Sequence, residues 1–116
     1  MKHKYTESNY WRGVNPTEIV SLKAESNYTF IYFKNGKSLL VSKCLKELEE
    51  KLSLVCDSQY LRISRSTIVN IQYISNASFH LGNSHITLMN NNEVAISRRK
   101  RLIIKSKMEQ INYNMS

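Results

Sequence analysis

Tyr28-Thr29-Phe30-Ile31-Tyr32-Phe33-Lys34-Asn35-Gly36-Lys37-Ser38-Leu39-Leu40-Val41 is the stretch that decides the fold class. Its first six residues are β-branched or aromatic, the side chains that pack best on a pleated surface. Asn35-Gly36 tolerates positive φ at both central positions and predicts a type I′ hairpin. Ser38–Val41 is then the returning strand. Both alternating faces of Tyr28–Phe33 are largely apolar, so this strand is expected to be covered on both sides.

Working outward, Ile19-Val20-Ser21-Leu22 reads as a preceding strand, punctuated by Pro16-Thr17 before it and by Asn27 after it. Downstream, Leu45, Leu48, Leu52 and Val55 recur at helical spacing and form one apolar stripe, with Ser42 as the expected N-cap. Such a stripe is more often core than a partner surface. Lys46–Glu50 and Glu47–Lys51 are i,i+4 pairs worth about 0.3 kcal/mol each. Strands resume at Tyr60–Ser64, which alternates, and after a break at Arg65-Ser66 continue through Ile68–Ile71. Phe79-His80-Leu81 and Ile86-Thr87-Leu88 flank a Gly82-Asn83 turn. Asn90-Asn91-Asn92 is a loop, and Val94 and Ile96 belong to a last strand. Leu102-Ile103-Ile104 fits a strand or a terminal helix equally. The expectation is a mostly-β domain of local hairpins and antiparallel strands with one short helix. Residues 1–15 form an N-terminal arm that Trp11 docks, 16–108 the folded domain, and 109–116 a C-terminal tail.

Composition narrows the function. The chain has 116 residues, enough for one domain, with 17 Lys plus Arg against 9 Asp plus Glu and a formal net charge of +8. That excess favours nucleic acid or an anionic surface over acidic small substrates. No apolar run is long enough to span a bilayer, and Met1-Lys2-His3-Lys4 has no apolar stretch behind it. Cys44 and Cys56 have neither metal-ligand spacing nor the density of a disulfide scaffold, so a reducing cytoplasm is expected. His3, His80 and His85 lack metal spacing. Asp57 is the only aspartate, and no nucleophile elbow or phosphate-cradling glycine loop occurs. Neither catalysis nor a cofactor is expected.

The strongest functional signal is Ser97-Arg98-Arg99-Lys100-Arg101, placed directly after the strand Glu93-Val94-Ala95-Ile96. Consecutive cations repel one another and gain little from folding, so a polyanionic partner gives them their use. A strand exit also holds them in a fixed direction.

Four stretches resemble one family. Ala24-Glu25-Ser26-Asn27-Tyr28-Thr29 is similar to the "EAxxNYT" stretch of LytTR DNA-binding domains, and Leu45-Lys46-Glu47-Leu48-Glu49 to that family's "LKELE" helix. Leu61 to Asn70 resembles its "xRxHRSxxVN" signature, and Ile96-Ser97-Arg98-Arg99 its closing "xSRR". The four occur in the family's order over roughly residues 17 to 105. Ser64 stands where the family usually has His, and Cys44 where a Ser commonly caps the helix. The resemblance implies an elongated fold of short sheets that inserts loops into successive grooves of double-stranded DNA, in a bacterial transcription regulator. Members often follow a receiver domain. The short segment before the first strand holds none, so a stand-alone regulator is expected.

What the resemblance implies for the site falls at strand ends: Asn27, Tyr28 and Thr29 in one loop, Arg65 and Ser66 in a second, and Ser97, Arg98, Arg99 and Lys100 in the third. Arg99 suits a base edge, because a guanidinium bonds guanine O6 and N7 together. Arg65 is the second candidate for base readout. Ser97 and Lys100 suit phosphate. Arg98, adjacent to Arg99 on an extended chain, points the other way and suits either a DNA contact or a structural brace. Tyr28 fits a groove contact or a core aromatic, and Ser66 fits phosphate or its own turn. Asn70 suits a turn backbone better than DNA, and Arg62 suits an ion pair. Partners beyond DNA would be a second copy on an adjacent repeat or a regulatory protein. Two rival readings remain: a nucleic-acid-binding β-domain indifferent to sequence, and an interaction module docking an acidic protein on its basic edge.

Overall fold

In the computed structural model of the chain, residues 10–55 and 58–115 are described, with side chains as far as Ile111. His3, Cys56, Asp57 and the first nine residues of the expected arm lie outside the described residues. The strands are β1 (Ile19–Glu25), β2 (Tyr28–Phe33), β3 (Ser38–Val41), β4 (Tyr60–Ser64), β5 (Thr67–Asn70), β6 (Ile74–His80), β7 (Asn83–Leu88) and β8 (Glu93–Ala95). They form a five-stranded sheet in the order β3-β2-β1-β5-β4 and a three-stranded sheet β6-β7-β8. All pairings are antiparallel. Helix α1 (Leu45–Val55) follows β3, and α2 (Arg101–Met115) closes the described chain.

The five-stranded sheet is the middle layer. On one face α1 lays down Leu45, Leu48 and Leu52 against Ile19, Leu22, Ile31 and Ile68, with Trp11 joining them at 7 % exposure. On the other face Val20, Leu61, Ile63 and Val69 meet Ile86 and Leu88 of the small sheet and Ile104 and Met108 of α2. Each such side chain contributes about 1.5–3 kcal/mol when fully buried. Apolar residues on both faces are what a central sheet requires, which explains the near-continuous run Ile19–Leu22.

Several expectations are corrected. Asn35 does not take positive φ; only Gly36 does, at +87°. Gly36 N donates to Phe33 O at 3.0 Å and Phe33 N to Lys37 O at 2.9 Å. That is a three-residue loop with glycine in the left-handed position rather than a type I′ turn. The second hairpin turns on Leu81-Gly82 instead of Gly82-Asn83, since His80 pairs with Asn83. β2 is covered on one face only: Thr29 and Ile31 are buried, whereas Phe30 and Tyr32 stack on the other face half-exposed. The small sheet does not extend that far. There are two helices among the described residues, not one, and Leu102-Ile103-Ile104 is helical, taking in much of the stretch expected as tail. α1 begins at Leu45, so Cys44 rather than Ser42 holds the capping position, its carbonyl accepting from Leu48 N. Val55 is exposed and lies outside the core stripe. Glu47 pairs with Lys43 at 3.8 Å and accepts from Tyr10, whose ring lies beneath the Lys51 ammonium.

Candidate nucleic-acid interface

Antiparallel pairing brings separate turns to one end of the central sheet. β1 runs toward that end and reverses through Ser26-Asn27 into β2, with Glu25 opposite Tyr28. β5 starts there, with Thr67 opposite Lys23, so the Arg65-Ser66 turn sits beside the end of β1. Ala24 N donates to Ser66 O at 2.8 Å and fixes that neighbourhood. The chain leaving β8 is then tied alongside, Ser97 N donating to Ile63 O at 3.0 Å. Turns far apart in sequence share one edge.

Between the second and third turns lies an open groove of about 480 Å³ lined by Glu49, Arg62, Ser64, Arg65, Ser97, Arg99 and Lys100. Arg65 and Arg99 are exposed there. Arg98 is also exposed but lines a separate cavity with Leu81, Asn83 and Arg101, so the two adjacent arginines serve different surfaces. Arg101 is anchored through Nη1 to Phe79 O at 2.9 Å. Ser97 begins the 3-10 turn Arg98–Lys100 without spending its hydroxyl on a cap. Asn27 and Tyr28 are exposed, Tyr28 by 49 %. Thr29 points inward: it is fully buried and its Oγ1 donates to Lys43 O at 2.8 Å, holding the first turn against the entry to α1. Ser66 is half-buried, with its N–H donating to Ser64 Oγ. Lys100 turns its Nζ onto Arg62 O at 2.8 Å. Burial lowers the pKa of Lys100, neighbouring Arg62 and Lys107 add to the lowering, and Glu49 opposes it.

Three residues lining this groove, Glu49, Arg62 and Ser64, lay outside the expected site, Arg62 having been expected only as an ion-pair residue. Arg62 meets Glu49 at 2.9 Å and donates to the carbonyls of Ser64 and Arg65. Glu49 is the carboxylate flanking the buried Leu45-Leu48-Leu52 stripe. An acid on that flank calls for a cation on the strand beneath it, and the alternation of β4 offers Arg62. Ser26 carries a third signal, a non-glycine φ of +57° at the tip of the first turn. Asn70, by contrast, is wholly interior: it accepts from Gln72 N at 2.9 Å and donates to Ile19 O at 2.8 Å.

The electrostatics point outward. α2 starts at Arg101 directly after Arg98-Arg99-Lys100, which places cations at the positive end of a helix. Each such placement costs on the order of 0.3–1 kcal/mol. Backbone N–H groups and guanidinium groups at that spot favour the same kind of partner, an anion. Among the described residues no group of three or more His, Cys, Asp or Glu side chains is arranged to hold a metal, and no helix is long and apolar enough to cross a membrane.

A basic edge made of turns on a body of two antiparallel sheets is the class of domain these features define. The family model of the LytTr DNA-binding domain matches residues 10–109, and the chain belongs to that family. Membership carries DNA binding in transcription regulation, and the family is not one of enzymes. Among solved structures, the chain is similar to the LytTr DNA-binding domain of a putative methyl-accepting/DNA response regulator from Bacillus cereus, with a TM-score of 0.71 and 19 % identity. The match covers 82 % of this chain and 84 % of that one, and it bears out a mostly antiparallel fold of this type. No curated protein matches the chain.

Proposed function

We propose that the domain recognises specific sequences in double-stranded DNA, setting the turns of one sheet end into successive grooves at short repeated sites. The observation that carries this reading is the groove in which Arg65 and Arg99 stand exposed together, beside the turn that presents Asn27 and Tyr28. Arg99 takes the base-edge role, with Arg65 as the second reader. Asn27 and Tyr28 contact the neighbouring groove. Ser66, Ser97 and Arg98 bind phosphate and set the register without reading sequence. Lys100 adds charge to the groove while bracing Arg62. Thr29 acts from inside by holding its turn. A second copy on the adjacent repeat, a regulatory protein partner and a cytoplasmic setting belong to the same proposal, and neither cofactor nor catalysis is invoked.

Selection from a random duplex library, run with the wild-type chain and with Arg99→Ala, tests the proposal. The wild type is expected to enrich a motif, and Arg99→Ala to lose about 1–3 kcal/mol at one position of it. Uniform binding that depends on salt alone would overturn sequence recognition. Failure to shift any duplex would favour docking on an acidic protein.

A further inference from the structure

Arg62 is held on every side by groups that belong to the reading edge, yet it is only half-exposed and sits within β4. Its Nη1 meets Glu49 Oε1 of α1 at 2.9 Å. Its Nε donates to Ser64 O at 3.1 Å and its Nη2 to Arg65 O at 2.7 Å, so one guanidinium holds both carbonyls that shape the second turn. Its own carbonyl accepts from Lys100 Nζ at 2.8 Å, which ties down the third turn. The guanidinium thus joins α1 to the turn bearing Arg65, and the backbone carbonyl of the same residue holds the turn bearing Arg99 beside them.

We infer that Arg62 is a positioning residue for DNA sequence recognition, setting the distance and orientation between Arg65 and Arg99, with Glu49 as its anchor. This rests on the reading of the groove as a DNA-recognition site. A planar, forked guanidinium can serve three acceptors in different directions at once, whereas an ammonium on a flexible stem cannot hold the same geometry. Base readout depends on that geometry, because a bidentate contact fails when its donor is misplaced by a fraction of a hydrogen-bond length. Non-specific attraction to phosphate does not. Arg62 therefore acts on discrimination, not on overall charge attraction. The register of β4 against β5 also shifts between Arg62 and Ser64, directly before the Arg65 turn, and such irregularities commonly re-aim side chains next to functional sites.

The test compares the wild-type chain with Arg62→Lys, Arg62→Ala and Glu49→Gln. Each is taken through duplex selection, then through affinity measurements for the selected site and for a scrambled duplex across a salt series. Thermal unfolding is followed alongside to fix the folded fraction. Arg62→Lys is expected to lower the ratio of specific to scrambled affinity about tenfold, the size of losing one good base contact. Scrambled-duplex affinity and the salt slope should stay near wild type. Glu49→Gln keeps a carbonyl acceptor for Arg62 and should lower the ratio less, by roughly threefold, for a weaker neutral hydrogen bond. An unchanged motif and ratio in Arg62→Lys overturns the inference. So does a joint loss on both duplexes in Arg62→Ala with a salt slope smaller by about one, since that marks a phosphate contact. A wild type that enriches no motif overturns the recognition reading itself, and the role of Arg62 with it.

Discussion

Asn70 Nδ2 donates to the Ile19 carbonyl at 2.8 Å, joining the end of β5 to the start of β1 through a side chain with no solvent exposure. The same amide accepts from Gln72 N, so one residue closes the sheet and caps the 3-10 turn Ile71–Tyr73. Asn70→Ala leaves these buried partners unmet and should cost about 3 kcal/mol. Asn70→Asp keeps the acceptor but sets a carboxylate against the Ile19 carbonyl, and should be no better. Urea unfolding of both variants measures this; a loss under 1 kcal/mol, the usual net worth of one hydrogen bond, would refute it.

Ser26 holds φ at +57° in the turn that presents Asn27. A side chain in this region costs roughly 1–2 kcal/mol that glycine avoids. Ser26→Gly should therefore raise the unfolding midpoint, with up to about 1 kcal/mol offset by the greater freedom of the unfolded chain. Ser26→Val should lower it. If Gly destabilises the fold, the serine hydroxyl rather than the backbone sets the turn.

Tyr10 donates to Glu47 at 2.8 Å, with Lys43 and Lys51 over its ring. Burial first, then the hydrogen bond and charge of Glu47, push its phenol well above the ordinary value of 10.0. The folded state keeps this proton where the unfolded state releases it, so the contribution is complete below pH 10 and declines as the pH climbs above it. Tyr10→Phe should lose about 1 kcal/mol at neutral pH and show a shallower alkaline decline. Unfolding titrations from pH 8 to 11.5 compare the two limbs, and parallel curves would speak against it.

Lys100 and Arg98 should part company in salt. Arg98→Ala is expected to flatten the salt dependence of DNA affinity by about one unit, as loss of one phosphate contact does. Lys100→Gln retains an N–H for Arg62 O and should change that slope less. Its pKa is lowered, so the folded state sheds the Lys100 proton before the unfolded state does. Between the lowered pKa and 10.5 stability rises with pH, and that rise should vanish in the glutamine variant. Equal slopes for the two variants would return Lys100 to the phosphate-binding role.

Much of this was legible in the chain because local pattern and tertiary position agreed. Tyr28–Phe33, the Leu45-Leu48-Leu52 stripe and the alternation of Tyr60–Ser64 each name their element without help. The three turns were expected at strand ends from the family resemblance, and two of their residues, Thr29 and Lys100, turn out to bond within the fold. What escaped depended on contacts across the sheet. Apolarity of Phe30 and Tyr32 does not reveal where the small sheet stops. Asn35-Gly36 admits two turn geometries, and strand register chose between them. The α2 stretch was ambiguous because Ile104 and Met108 are core only once sheet β6-β7-β8 is in place. Arg62 read as an ion-pair residue, and the identity of its partner on α1 was the missing piece.

The bond from Lys100 to the Arg62 carbonyl spans 38 residues of chain and links the third turn to the second. During synthesis, the first and second turns leave the ribosome before the third exists. A nascent chain ending before Ile96 carries Arg65 without the neighbour that completes its groove. The edge is therefore assembled only when nearly the whole described chain has been made.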